Sequence, residues 1–453
     1  MTVTVDTSRE RRVEAPLTLD DEAPKVLGWL DQIGLWGNLG VTLLAPVGAV
    51  FVLIPGASPQ LSFVAAGVAV IVGTLIGALM LGAAAVPGAQ TGAPAMVLMR
   101  GLFGRRLSYL PTIVNLVQLL GWTVFEIVAI SSAAKQLFPW HGHRWPYVLV
   151  AGLLTAAMTI RPLGAVRILR RYALGAVVVT TTYLFVELAR HPHASLTHGS
   201  WSGFWAAADV AVAVAVSWAP LAADYTRHAV SSRSAFGSAV VGYSATQIAG
   251  YFLGLLALAT VVRADDANLQ HDMFAAFIAV PVGWLAFGVL VVRELDESFA
   301  DGYSAVVSMQ NIWSHVDRRI FTVAVCGLAT LGALWLNIAS YVNFLYLLAS
   351  VLVPLVAVFL VDYFGTHRLR GWDVSARSPA RPLMVVPWLL GFVVYQMLNP
   401  GYIGWWQRMW HHVDTGLHLT VQTWMSASVF SFLVAAVTTA PLVWYRRARM
   451  TAP

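Results

Sequence analysis

The stretch FWAAADVAVAVAVSWAPLAADYTRH, residues 204–228, decides how this chain must fold. It is apolar enough to cross a bilayer, yet Ser217, Trp218 and Pro220 sit near its middle, with Asp224 and Tyr225 just beyond. Proline has no amide hydrogen to give and clashes with the preceding turn, so Pro220 breaks or kinks the span beside Ser217 and Trp218. In hydrocarbon a freed backbone group is tolerated only where it is buried in protein or lines a cavity. Polar and aromatic residues at such a break therefore predict a binding site.

An earlier segment is interrupted in the same way. IGLWGNLGVTLLAPVGAVFVLI, residues 33–54, carries Gly37, Asn38 and Gly40 in its first half and Pro46 later. Glycines weaken the helix where the Asn38 amide is available. Paired Gly/Pro-interrupted spans, one in each half of a long apolar chain, point to a secondary transporter built from inverted repeats. The plainer reading is two kinked helices packed in a core, since Gly and Pro are frequent in transmembrane helices.

Composition narrows the class. The chain is 58% hydrophobic and only 11% charged, whereas soluble domains carry about 25% charged residues. It is read as an integral membrane protein, and at roughly 20 residues per span about a dozen spans fit. They are expected near 33–54, 61–86, 108–133, 145–163, 172–189, 204–226, 236–262, 273–305, 320–338, 341–363, 383–399 and 423–444. The first thirty residues are polar and lack the apolar core of a secretory signal, so 1–30 and 445–453 are read as cytoplasmic tails.

The cations test this layout, because loops rich in Lys and Arg stay cytoplasmic. One set of alternate loops holds Arg9, Arg11, Arg12 and Lys25; Arg100, Arg105 and Arg106; Arg161, Arg167, Arg170 and Arg171; Arg227 and Arg233; Arg318 and Arg319; Arg368, Arg370, Arg377 and Arg381; and Arg446, Arg447 and Arg449. The other set holds only Lys135, Arg144, Arg190, Arg263 and Arg408, and Arg293 falls inside span eight. Both termini are thus expected in the cytoplasm and the chain in the inner (plasma) membrane. A net charge of +6 is explained by this placement and implies no nucleic acid. The single Cys326 excludes an intramolecular disulfide. Outer-loop histidines such as His141, His143, His191, His193, His198, His411 and His412 read as solvated, with no carboxylate or thiol recurring beside them to suggest a metal site.

Ionisable side chains within a span are functional candidates by default. Span three, LPTIVNLVQLLGWTVFEIVAIS, holds Asn115, Gln118, Trp122 and Glu126. Trp122 and Glu126 are four apart and share a helix face, so an indole plate sits one turn from a carboxyl. That suits a flat heterocycle, which stacks on the indole and hydrogen-bonds in its plane. Span eight ends in VVRELDESFADGYSAVVSMQN, clustering Arg293, Glu294, Asp296, Glu297 and Asp301. Acids there fit a coupling ion, sodium or proton, although Glu294 and Glu297 could simply pair with Arg293.

With these residues in view, the sequence resembles the nucleobase:cation symporter family of purine and cytosine permeases and of hydantoin, allantoin and hydroxymethylpyrimidine carriers. The resemblance rests on WGNLG (36–40), GAQTGAPAMVLMRGLFGRR (88–106), LGWTVFE (120–126), SWAPLAADYTR (217–227) and DESFADGYSAVVSMQN (296–311). It implies an all-α membrane protein of about twelve spans, a five-plus-five inverted repeat with broken helices 1 and 6, and two extra helices. The repeats would occupy 31–190 and 204–363, and the extra helices 383–444. It implies that Trp122 and Trp218 sandwich the ring, and that Glu126, Ser217, Asn38 and Asp301 bind substrate. Gly37, Gly40 and Asp296 are then the candidate coupling-ion positions. Sodium-coupled relatives carry Ser or Thr hydroxyls where Leu295 and Asp296 stand, which favours a proton over sodium. The expectation is a monomeric symporter of a nucleobase-like heterocycle, cytosine, hydroxymethylpyrimidine or a related pyrimidine or purine, without cofactor. The alternatives are a symporter of amino acids or other small organic solutes on the same fold, a membrane-embedded enzyme, for which no nucleophile, base or metal triad is found, and a passive channel.

Overall fold

The computed structural model describes residues 23–56, 59–140, 142–160, 163–261, 269–309, 311–313, 318–366 and 372–451. Arg9, Arg11, Arg12, His141, Arg161, Arg263, Arg368 and Arg370 lie outside them, as do the side chains of Arg167, Arg170, Arg171, Arg318, Arg319, Arg449 and Asp296. The described chain is predominantly helical. Helices α1 (Trp29–Leu39) and α2 (Leu44–Leu53) are the two halves of the first interrupted span and meet at 63°. They are followed by α3 (Phe63–Thr91), α4 (Ala95–Phe103), α5 (Tyr109–Leu137), α6 (Trp145–Ile160) and α7 (Leu163–Arg190). The second interrupted span comprises α8 (Phe204–Val216), a 3-10 turn (Ala219–Leu221) and α9 (Ala222–Thr226). Then come α10 (Ser232–Val261), α11 (Leu269–Ala279), α12 (Gly283–Met309), α13 (Arg318–Trp335), α14 (Tyr341–Thr366), α15 (Val385–Leu398), α16 (Gly404–Gly416) and α17 (Ala427–Thr451).

Eleven of the twelve expected spans each correspond to one of these helices or interrupted pairs, whereas the eighth, 273–305, is divided between α11 and α12 by a break at 280–282. Among the described residues six are long and apolar enough to cross a membrane by themselves, and the bent α1–α2 pair makes a seventh. The packing has the exchange symmetry an inverted repeat requires. Helices α1 and α2 pack on α10, and in the swapped positions α8 and α9 pack on α3. Likewise α5 meets α13 as α12 meets α6, while α7 touches α10 and α12 as α14 touches α3 and α5. The last two long helices, α15 and α17, pack on each other and on α14, outside this exchange.

Bilayer-facing and core-facing helices look alike in composition, so packing must come from close backbone approach and buried polar bonds rather than from hydrophobic contrast. Helix α3 shows this at Gly73, where a Cβ would lie 2.2 Å from the carbonyl oxygen of Ala208 on α8. Only glycine allows α3 to approach that backbone. Consequently the interrupted span Phe204–Thr226 is almost wholly buried within the bundle.

Loops read to the same side meet at one face. Lys25 Nζ donates to Ala89 O (2.8 Å), and Leu27 N to His228 O (2.9 Å). On that face Arg100 Nε also donates to Asn311 Oδ1 (2.7 Å), and Arg381 grips Asp362. At the opposite face Arg144 donates to Leu336 O and Ala333 O, and Ser62 N to Ser200 O. The alternation inferred from the cations is thus the alternation of the helices.

Candidate functional site

The two interruptions are built differently. Between α1 and α2 the chain runs through Gly40–Leu43, and a Cβ at Gly40 would sit 2.2 Å from Thr246 Oγ1 on α10. The first amides of a helix have no partner within it. Here they find acceptors: Leu43 N donates to Glu294 Oε2 (2.6 Å) and Leu44 N to Thr42 Oγ1 (3.1 Å). Pro46 falls in the first turn of α2, where a missing N–H leaves nothing unsatisfied.

At the second interruption the bend is milder than the sequence implied, because Phe204–Thr226 continues as one span. Pro220 enters the 3-10 turn, which it fits, instead of forcing a sharp corner. The last carbonyls of α8 are taken by side chains. Ser217 Oγ and Tyr243 OH donate to Val214 O (2.7 and 3.3 Å), and Gln118 Nε2 donates to Ser217 O (3.1 Å). Asn115 Oδ1 accepts from the same Gln118 nitrogen and its own amide reaches Ser308 Oγ, so α5, α8 and α12 are stitched at one depth.

Between the interruptions lies a small enclosed cavity. Of the residues singled out in the sequence, Trp122, Glu126, Ser217, Trp218 and Asp301 all line it. Its void is about 20 Å³, room for about one water molecule, so a ring can enter only if the walls part. Trp122 is held edge-on against Phe344 and Tyr341, at centroid distances of 5.3 and 6.0 Å. Trp218 leans on Tyr243 at 6.4 Å. Glu126, Glu297 and Asp301 converge on the cavity with 2, 4 and 3% of their surface exposed. Glu126 and Asp301 thus share one small void.

Of the other four positions, three lie elsewhere. Asn38 does not line the cavity; its main-chain oxygen accepts from Arg293 Nη2 (2.6 Å). Gly37 and Gly40 face α10, the nearest atom to a Cβ at Gly37 being Gly242 O at 3.7 Å. Asp296 lies on α12 with its side chain outside the described residues. Sequence reasoning did not single out Glu297, Tyr243 or Thr42 as lining residues, although they are. A signal existed for Glu297: Glu294, Glu297 and Asp301 are spaced three and four apart, which places them on one helix face.

Residues 33–376 match the family described as permeases for cytosine/purines, uracil, thiamine and allantoin. Among curated proteins the chain is 21% identical over 367 residues to YxlA of Bacillus subtilis (strain 168), provisionally named a purine-cytosine permease, covering 74% of this chain and 77% of that one. Among solved structures it resembles Mhp1 in an inward-facing conformation, with a TM-score of 0.74 at 12% identity over 96% of this chain and 95% of that one. It also resembles Mhp1, a nucleobase-cation-symport-1 family transporter, in a closed conformation with bromovinylhydantoin bound (TM-score 0.69, 14% identity, 96% of each chain). A manganese transporter from Eremococcus coleocola shares the architecture at a TM-score of 0.60 and 13% identity, over 97% of this chain and 100% of that one. The fold is common to different cargoes, so the cargo must be argued from the site.

Proposed function

Because the chain belongs to the family of permeases for cytosine/purines, uracil, thiamine and allantoin, we propose that it imports a flat pyrimidine-like base by proton-coupled symport and alternating access. The observation that carries this reading is the convergence of Trp122 and Trp218 with Glu126 and Asp301 on one cavity between two interrupted spans. Indoles offer the large π-surface a heterocycle stacks on. The carboxyls offer acceptors, and a donor when protonated, in the plane of a ring rich in N–H groups. Cytosine and hydroxymethylpyrimidine fit that demand.

Coupling then follows from the same atoms. Glu126 and Asp301 line the cavity the base would occupy, so cargo and proton would be bound by one constellation. Ser217 and the Asn38 segment belong to the two spans whose reorientation would open the cavity. The transporter would sit as a monomer in the inner membrane with both termini cytoplasmic.

In proteoliposomes holding the purified protein, cytosine or hydroxymethylpyrimidine is expected to accumulate above its external concentration under an inward proton gradient, and to leak back when a protonophore collapses it. Equilibration without accumulation would indicate a passive pathway. Accumulation of amino acids alone would remove the base from the reading.

A further inference from the structure

Helix α12 grips the first interruption with a pair of opposite charges. Arg293 Nη2 donates to the carbonyl oxygen of Asn38 at 2.6 Å and to Glu297 Oε2 at 3.0 Å, with 2% of the Arg293 side chain and 5% of the Glu297 side chain exposed. One position along, Glu294 accepts from Leu43 N and from the Thr42 hydroxyl at 2.6 and 2.8 Å. The guanidinium therefore lies at the carbonyl end of α1 and the carboxylate at the amide end of α2. Each charge meets the half-helix terminus of opposite partial charge.

The carbonyl end of a half-helix in an unwound span is what a coupling sodium would take as a ligand, with hydroxyls completing the shell. In this chain both donor types are already engaged. The Asn38 oxygen holds a guanidinium and the Thr42 hydroxyl holds Glu294. Arginine stays charged under all ordinary conditions and is more weakly hydrated than an ammonium, which suits it to a buried, permanent cationic role. A void of about 260 Å³ reaches the same place, bounded by Gly40, Thr42, Thr246, Arg293 and Glu294, so a small ion could reach the position if the guanidinium were removed.

We propose that Arg293 is a tethered internal cation standing where a sodium ion would bind at the break between α1 and α2, so that this chain binds and moves its cargo without sodium. The proposal rests on reading the chain as a cation symporter, but its test needs no base and survives an error in the cargo.

The experiment is thermal unfolding of the purified full chain in detergent, in sodium chloride and in choline chloride at equal ionic strength. Wild type is expected to unfold at the same temperature in both salts. Arg293→Ala, which leaves Glu297 and the Asn38 oxygen without the guanidinium, is expected to unfold earlier in choline and to gain a sodium-specific upward shift, since a ligand that binds only the folded state stabilises it by mass action. Arg293→Lys is expected to keep the wild-type indifference to sodium. A sodium-specific shift of wild type overturns the proposal, as does an Arg293→Ala protein that sodium leaves unmoved. Should Arg293→Ala fail to fold, the wild-type and Arg293→Lys comparisons decide.

Discussion

Replacing Trp122 or Trp218 with alanine is expected to weaken binding of the transported base about ten- to a hundredfold. Loss of one aromatic stacking partner removes about 1–3 kcal/mol per base, and each 1.4 kcal/mol is a factor of about ten in affinity. Both indoles line the cavity, yet neither is free of structural duties. Trp122 packs on Phe344 and Tyr341, and Trp218 on Tyr243. Phenylalanine at either position separates the two roles, because it retains a plate and most of the packing. The expected order of affinity is wild type, then phenylalanine, then alanine, measured by base binding to protein whose unfolding temperature is recorded in parallel. Equal affinities for all three would mean that the ring does not stack there.

The largest expected effect on stability lies far from the cavity. Asp362, with a side chain wholly buried on α14, receives both guanidinium nitrogens of Arg381 at 2.7 Å, and Arg446 reaches it at 3.5 Å. Arg381 also donates to the carbonyl of Gly101 on α4. Asp362→Ala would strand two partly buried cations and is expected to destabilise the fold by about 3–5 kcal/mol. Removing a partner as well should restore much of that, because a buried pair replaced by apolar residues is often near neutral. The double variant Asp362→Leu with Arg381→Leu is therefore expected to unfold above Asp362→Ala in a thermal scan. An Asp362→Ala protein that melts with wild type would show that the cluster is solvated.

How far the sequence disclosed all this depends on the kind of interaction. Pro220 beside Ser217 and Trp218, and Trp122 four residues from Glu126, are local patterns, and a helix period places them without further knowledge. The alternation of arginines between successive loops is likewise legible along the chain. What stayed hidden was any contact whose partner is a main-chain atom far along the chain. Arg293 meets the carbonyl of Asn38, 255 positions away, and no side-chain pattern announces a carbonyl. Gly40 is the counterpart: its glycines-in-a-helix signal was visible, but its close approach to Thr246 on α10 depends on tertiary packing. The mildness of the second interruption was also hidden, since Pro220 can start a 3-10 turn as well as force a corner.

The most direct test of the central claim is thermal stabilisation of the detergent-purified protein against a panel of nucleobases, hydroxymethylpyrimidine, hydantoins and amino acids, repeated on Trp122→Ala and Trp218→Ala. Bound ligand raises apparent stability by mass action. The expected result is a shift with a pyrimidine-like base that both alanine variants diminish. A shift with amino acids alone, or one with a base that survives both substitutions undiminished, would contradict a heterocycle held between these two indoles.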